Sequence, residues 1–80
     1  MDPDDIKSLI EQNLAGSSAE VRTDGMGHYE AVVVCAAFEG KRSIARHQMV
    51  YGALGQRVGR DIHALQLKTF TPEEWRAAGG

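Results

Sequence analysis

The sequence HYEAVVVCAAF occupies residues 28–38 and is rich in residues that favour β-structure. Because Val32, Val33 and Val34 place apolar groups on both faces of an extended chain, this run predicts a central strand that is partly covered on each side. Cys35 lies in the same run, and its simplest interpretation is a small core residue. The rest of the fold is therefore expected to assemble around this strand.

Upstream of the central strand, the sequence predicts a hairpin partner and a helix. Residues 19–23 alternate in polarity and reach the central strand through the turn sequence DGMG at residues 24–27, a pattern typical of a β-hairpin. Asp2 is placed as an N-cap before Pro3 at the first helical position, and Gly16 closes the helix. The apolar side chains between them recur at helical spacing: Ile6, Leu9, Ile10 and Leu14.

Downstream of the central strand, helical spacing returns over residues 43–58 and predicts the second main helix. Gly52 and Gly55 weaken this helix by roughly 1 kcal/mol each relative to alanine, so a bend or an irregularity is expected. The apolar positions of the helix are four residues apart: Val50, Leu54 and Val58.

The last part of the chain predicts a strand and a short helix. Residues 62–70, IHALQLKTF, alternate as a strand does, and one face carries His63, Leu65, Leu67 and Thr69. Thr71 as N-cap, Pro72 in the first turn and Glu74 as capping-box acid begin a final helix that carries Trp75. The predicted order is αββαβα, an α+β fold with a three-stranded mixed sheet packed against helices.

Length and composition predict one globular unit. The chain has 80 residues, enough for one modest core, so we expect a single domain over residues 1–80. With 42% hydrophobic and 25% charged residues, the composition is too apolar for a disordered tail. The acidic start and the lack of an apolar run near ~20 residues predict neither a secretory signal nor a membrane span, and so a cytoplasmic or organelle-matrix protein.

Motifs that would indicate an enzyme are missing. There is no P-loop, no GxSxG, no HExxH and no cysteine and histidine set that could close a four-ligand zinc site. Cys35 is the only cysteine, which excludes an internal disulfide and a CxxC motif. Its place in the middle of a strand would block substrate from a thiol protease dyad. We therefore expect no catalytic function.

Three histidines are candidate functional residues. His47 lies on the same helical stripe as Val50 and Leu54, so it is expected to pack inward with its ring nitrogens satisfied locally. His28 follows a glycine-rich turn, where it is either an exposed residue without a role or one that reaches a ligand. His63 lies at the start of the last strand, and packing at the edge of the core and ligand binding are equally open for it.

The net charge of −2 is unevenly distributed along the chain. Residues 41–60 contain no acidic side chain, whereas acidic residues crowd the N-terminus. The basic stretch is either a solvated helix face or a docking surface for phosphate groups or an acidic partner. Its basic residues are Lys41, Arg42, Arg46, Arg57 and Arg60.

Two segments together resemble the signature of the BolA-like proteins, in which FxG, an R-H pair, I-H-A-L and T-P-x-E-W recur in this order. They are FEGKRSIARHQMVYGAL at residues 38–54 and IHALQLKTFTPEEW at residues 62–75. The resemblance covers about residues 5–76, and it is specific because several separated motifs agree in order and spacing. It implies the same αββαβα fold, related to class II KH domains.

The resemblance implies a non-enzymatic adaptor in iron–sulfur cluster trafficking or iron homeostasis, working with a monothiol glutaredoxin. In this family the two proteins share a [2Fe-2S] cluster, to which the glutaredoxin and its glutathione contribute thiolates. The BolA-like protein contributes the histidine of the IHAL motif, here His63, and a second ligand from the first hairpin loop, here matched by His28. One buried cysteine is too few for all-thiolate ligation, so the isolated chain, a monomer or weak homodimer, is expected to bind no cluster.

The alternative function is that of a nucleic-acid-binding transcriptional regulator, which the resemblance also implies. KH-like domains bind single strands through a GxxG loop, and the helix from residue 43 resembles a recognition helix with Lys41, Arg42 and Arg46 near its start. Residues 52–55 match GxxG formally. Because they lie in an apolar helical stripe without basic residues, we interpret this match as chance.

Overall fold

The chain folds into three helices and three strands in the predicted order αββαβα. The computed structural model describes residues 1–80. The helices are α1 (Pro3–Asn13), α2 (Ser43–Leu54) and α3 (Pro72–Ala77), and the strands are β1 (Ser17–Thr23), β2 (His28–Cys35) and β3 (Ala64–Phe70). Short 3-10 turns follow β2 at Ala36–Phe38 and α2 at Gly55–Arg57. The predicted α+β class and element order are confirmed.

β2 is the central strand of a three-stranded mixed sheet with the order β1-β2-β3. β1 pairs with it antiparallel, with Thr23 opposite Tyr29, and β3 pairs with it parallel, with Ala64 opposite His28. A parallel pair needs a long crossover, which α2 supplies between β2 and β3. The predicted hairpin, central strand and mixed sheet are all present.

The two faces of β2 are covered unequally. The inner face packs beneath α1 and α2, and its buried residues are Tyr29, Ala31, Val33 and Cys35. On the outer face, Val32 and Val34 are only half-buried. One end of this face is covered by Trp75 of α3, whose ring packs at a tilt on Phe70 with 5.1 Å between the ring centroids. The predicted cover on each side is therefore complete on the inner face and partial on the outer one.

One hydrophobic cluster joins the sheet to α1 and α2. Cys35 is a member of it, as the sequence predicts, and so is Ile62, which anchors the chain just before β3. Fully burying a large aliphatic or aromatic side chain contributes roughly 1.5–3 kcal/mol, so this cluster is the main source of stability. Its members are Ile6, Ile10, Ala19, Tyr29, Val33, Cys35, Phe38, Val50, Leu54 and Ile62.

β2 and α2 both end earlier than the sequence predicts. The chain turns after Cys35, and the turn carries the side chain of Phe38 into the core, where it is fully buried. α2 ends at Leu54 because Gly55 adopts a φ of +62°, which interrupts the helix. The prediction that Val58 continues the buried stripe is wrong, since Val58 is 37% exposed and lies outside the core.

The boundaries of β1 and β3 also differ from the predictions. β1 begins at Ser17 rather than at residue 19, and β3 begins at Ala64 rather than at residue 62. Ile62 forms only an isolated parallel bridge with Val58, and its side chain is buried. His63 is consequently the residue before β3 and not part of the strand.

An ion pair on α1 binds the backbone of Ala19 at the free edge of β1. Lys7 Nζ lies 2.8 Å from Glu11 Oε2 and also donates to the carbonyl oxygen of Ala19 at 2.7 Å. The Ala19 amide donates in turn to Glu11 Oε2 at 3.0 Å. The hydrogen bond from Lys7, followed by the one from the Ala19 amide, lowers the pKa of Glu11. These bonds occupy backbone groups that an edge strand otherwise leaves open.

Candidate functional site

His63 is the residue directly before β3. It lies between the buried Ile62 and the exposed first residue of the strand, Ala64. Ile62 is 1% exposed, whereas His63 and Ala64 are exposed. The amides of His63 and Ala64 both donate to the carbonyl oxygen of Gly27, at 3.1 and 3.2 Å. The core therefore fixes the backbone before His63, the hairpin turn fixes it from the side, and the imidazole is left at the surface.

The ring of His63 packs against the backbone of Gly27. A β-carbon placed on Gly27 would lie 2.5 Å from Cδ2 of His63, which is too close for any side chain. Gly27 also has a φ of +85°, in the left-handed region that favours glycine. Gly27 therefore allows the backbone to turn and leaves room for the His63 ring.

His28 is the first residue of β2, directly after Gly27. Its side chain is 63% exposed, and its Nδ1 lies 2.9 Å from Oδ2 of Asp24. The other carboxylate oxygen of Asp24 accepts a hydrogen bond from the Met26 amide at 2.7 Å. The pKa of Asp24 is lowered, first by the Met26 hydrogen bond and then by the one with His28. The imidazole is thus attached to the turn on one side and open on the other.

The fold brings His28 and His63 to the same end of the sheet, on either side of Gly27. Next to His28 is an open depression of about 450 Å³. It is lined by Arg22, Thr23, Asp24, His28, Tyr29, Glu30, Ala64 and Gln66. His28 lines this depression and His63 does not, so the two histidines share one end of the sheet and the contact with Gly27, one as the first residue of β2 and the other as the residue before β3.

Imidazoles such as those of His28 and His63 belong to the ligand types found on [2Fe-2S] clusters. Such a cluster takes four ligands, and imidazoles replace two thiolates in Rieske-type centres. His28 and His63 offer two exposed imidazoles, and no group of three or more His, Cys, Asp or Glu residues in the chain could hold a metal ion. Cys35 is buried at the far end of β2, about 23 Å away at roughly 3.3 Å per residue. The remaining ligands would have to come from another molecule.

Of the basic residues proposed as a docking surface, Lys41, Arg42 and Arg46 lie at the opposite end of β2, whereas Arg57 and Arg60 come shortly before His63. Lys41 and Arg42 are exposed there, just before α2. Arg46 is different, because its side chain is only 12% exposed and is paired with Glu74. The fold therefore separates the basic start of α2 from the two histidines.

Arg46 is held by three hydrogen bonds, two of them to Glu74, and by a contact with an aromatic ring. Its Nε donates to the carbonyl oxygen of Phe38 at 3.1 Å, and Nη1 donates to Glu74 Oε1 at 2.7 Å. Its Cζ also lies 5.8 Å from the centroid of the Phe38 ring. The hydrogen bond that Arg46 donates to Glu74 raises the pKa of Arg46. The prediction of Arg46 as a free docking cation therefore needs correction: it is a structural ion pair, and Lys41 and Arg42 are the exposed charges.

His47 lies within α2, and the formal GxxG sequence lies at the end of the same helix. His47 is half-buried on α2, and no buried ring nitrogen of it is left without a partner. In residues 52–55, Ala53 and Leu54 are buried at 7% and 2% exposure. Gly52 and Gly55 themselves are exposed, and Gly55 begins the 3-10 turn after α2, so the match spans the end of a helix.

Asp24 and Gly27 are site residues that the sequence did not single out. The signal for Asp24 was its position four residues before His28 across a turn rich in glycine. No comparable signal exists for Gly27, since its contact with His63 depends on the register between β2 and β3.

These features define a class of protein. It is a small α+β fold of αββαβα topology with two exposed histidines at one end of its sheet. Within this class, a family model described as BolA-like protein matches residues 9–74. The chain belongs to the BolA-like family. None of its three helices is both long and apolar enough to cross a membrane.

Relatives of known name agree with this assignment. The chain is 46% identical over 50 residues to the DNA-binding transcriptional regulator BolA of Haemophilus influenzae. The alignment covers 62% of this chain and 48% of that protein. It is 32% identical over 76 residues to the acid stress protein IbaG of Escherichia coli strain K12, covering 94% of this chain and 89% of that protein. This chain thus spans about half the length of the Haemophilus relative.

The fold agrees with solved structures of the family. The structure of a BolA homologue from Coxiella burnetii is similar with a TM-score of 0.86 and 47% sequence identity. The alignment covers 95% of this chain and 97% of that one.

Proposed function

We infer that this chain is a non-enzymatic adaptor that contributes His63 and His28 to a [2Fe-2S] cluster shared with a monothiol glutaredoxin and its glutathione. The observation that supports the proposal is the pair of exposed imidazoles on either side of Gly27, one on the first residue of β2 and the other on the residue before β3. A pair is what the proposal requires, because thiolates from the partner would complete the four ligands.

Neutral imidazole ligands give such a cluster particular properties. Replacing two thiolates on one iron raises the reduction potential, and imidazoles leave the metal when they are protonated. A shared cluster of this kind is suited to transfer or to sensing. The partnership with glutathione requires a compartment that contains it, the cytoplasm or an organelle matrix.

The test is cluster reconstitution on a monothiol glutaredoxin, with and without this chain. We expect wild type to change the visible spectrum and reduction potential of the glutaredoxin cluster, and His63→Ala to abolish that change. His28→Ala should alter the spectrum in its own way, because one of the two imidazoles remains. His47→Ala is the matched control, since His47 lies on α2 and away from Gly27. If wild type leaves the spectrum and the potential unchanged, the proposal is wrong.

Nucleic-acid binding is the second candidate function. It is supported by the name of the Haemophilus relative and by the exposed Lys41 and Arg42 at the start of α2. Since phosphate contacts make binding depend on salt, DNA and RNA should be titrated at two ionic strengths with wild type and a Lys41→Ala, Arg42→Ala double variant. Binding that weakens with salt and is reduced in the double variant would favour this function. Absence of binding at low salt would remove it.

A further inference from the structure

The carboxylate of Asp24 uses its two oxygens on two different groups. Oδ1 accepts from the Met26 amide at 2.7 Å, while Oδ2 lies 2.9 Å from Nδ1 of His28. The hydroxyl of Thr23 donates to the carbonyl oxygen of His28 at 2.8 Å and accepts from the Gly25 amide at 3.1 Å. Because the turn has these other hydrogen bonds, the contact between Asp24 and the imidazole is not needed to close it.

The contact with Asp24 decides which nitrogen of His28 carries the hydrogen. An ionised carboxylate is only an acceptor, so Nδ1 must be the donor. In a neutral imidazole, Nε2 then has a free lone pair. Because the His28 side chain is 63% exposed, Nε2 is able to meet a metal ion brought by another molecule. A carboxylate that orients a histidine through its second nitrogen is the usual arrangement around protein metal ligands.

His63 has no such support. No side-chain hydrogen bond involves His63, and its ring is placed by packing against Gly27. The two imidazoles are therefore held in different ways: one by a hydrogen bond that selects a tautomer, the other by steric contact.

We propose that Asp24 is a positioning residue that holds His28 as the Nδ1–H tautomer and so makes Nε2 its metal-binding atom. The inference rests on the proposed function for the identity of the metal group. Its statement about the tautomer concerns the free chain alone, and it is testable without the partner.

Asp24→Asn is the informative variant because it changes the tautomer without changing the size of the side chain. The amide oxygen of asparagine is able to replace Oδ1 as acceptor for the Met26 amide and so to preserve the turn. The amide nitrogen then faces Nδ1 of His28 and is only a donor. It favours the Nε2–H tautomer, in which the proposed ligand atom is blocked. In the Ser-His-Asp triad, the same Asp to Asn change produces the wrong tautomer with the geometry intact.

The first readout is nitrogen NMR of the imidazoles in the free chain at about pH 8, where an ordinary histidine is neutral. We expect His28 of the wild type to be predominantly Nδ1–H. Asp24→Asn should shift the tautomer ratio toward Nε2–H by roughly twofold to fivefold, the size expected for an exposed pair screened by solvent. His63 should keep its wild-type ratio in both proteins, which controls for a general change in fold. A wild-type His28 that is mainly Nε2–H, or a ratio unchanged in Asp24→Asn, would overturn the proposal.

The second readout is the complex reconstituted with a monothiol glutaredoxin. Asp24→Asn should reproduce the spectral change caused by His28→Ala, while Asp24→Glu should restore part of the wild-type signal because it keeps an acceptor. If the tautomer shifts as expected but neither His28→Ala nor Asp24→Asn changes the spectrum, Nε2 of His28 is not a ligand and that part of the proposal is overturned. If His63→Ala alone removes the wild-type effect in that case, the shared cluster survives with a different second ligand. If every variant, including His63→Ala, keeps the wild-type effect, the proposed function itself is overturned.

Discussion

The two ends of β2 differ in what their polar side chains contact. At the Cys35 end, Arg46 is mostly buried and binds the carbonyl oxygen of Phe38 and the carboxylate of Glu74. At the other end, His28 and His63 are exposed, and their contacts leave ring nitrogens open. Arg46 and His63 both belong to motifs by which the chain resembles its family. The contrast indicates that a motif residue is a candidate for binding only when its polar atoms are not already used within the fold.

The largest expected effect comes from the core beneath Arg46. Phe38→Ala removes a fully buried aromatic ring and should lower the free energy of unfolding by about 3–5 kcal/mol. His63→Ala removes an exposed ring and should change it by less than about 0.5 kcal/mol. Urea denaturation of both variants measures the difference. A loss of similar size in His63→Ala would mean that the histidine end is structural as well, and the comparison would fail.

A smaller effect is expected when the ion pair itself is removed. Arg46→Ala loses the hydrogen bonds to Phe38 and Glu74 and the contact with the Phe38 ring, and should cost about 1–2 kcal/mol. Arg42→Ala is the matched control, because Arg42 is exposed and makes no ion pair. We expect its unfolding curve to overlay that of the wild type. Equal losses from both variants would contradict the structural role of Arg46.

At the histidine end, alanine variants of two glycines distinguish backbone strain in the turn from the contact that places the His63 ring. Gly25 and Gly27 have φ values of +81° and +85°, so alanine at either should cost about 1–2 kcal/mol in backbone strain. A β-carbon on Gly25 meets nothing within 4 Å, whereas one on Gly27 meets the His63 ring. Only Gly27→Ala should therefore move the NMR resonances of the His63 ring and reduce the effect of the chain on a glutaredoxin cluster. If Gly25→Ala has the same two effects, the contact between Gly27 and His63 is not what places the imidazole.

The fold could be predicted from the sequence because its signals are local. The N-cap at Asp2 and the capping box of Thr71 and Glu74 formed as predicted, with hydrogen bonds of 2.8 to 3.1 Å. The limits of β2 and α2 were predicted too far along the chain. Periodicity continues past both ends, whereas the turns that bury Phe38 and end α2 at Gly55 depend on packing and on one positive φ.

The candidate site was predictable only in part. His63 and His28 were named from a resemblance, but residue spacing alone left their roles open. The pairing of Arg46 with Glu74 joins residues 28 positions apart, and no local pattern predicts it. The contact of Gly27 with His63 likewise requires the register of β3 on β2. Contacts between distant segments therefore decide which charged and titratable groups stay open.

The smallest expected effect is a pH dependence at the Arg46 end. The hydrogen bonds from Arg46 and from the Thr71 amide hold the pKa of Glu74 below its ordinary value. A depressed folded pKa means that this carboxylate stabilises the protein above the ordinary carboxyl pKa of about 4.3, and that the contribution is lost as the pH falls through the folded pKa. Since Glu74 is 47% exposed, solvent screening keeps the contribution small.

Glu74→Gln should therefore be less stable than wild type at about pH 7, and the difference should shrink at about pH 3. Glu73→Gln is the control on the same turn of α3, because Glu73 has no contact with Arg46, and its difference from wild type should be small at both pH values. Glu11 and Asp24, whose pKa values are also lowered, are present in all three proteins, so their titration cancels in the comparison. Urea denaturation at the two pH values measures the change. If the stability difference for Glu74→Gln is the same at the two pH values, the ion pair with Arg46 contributes through packing alone. The two ends of β2 would then differ in burial but not in their use of charge.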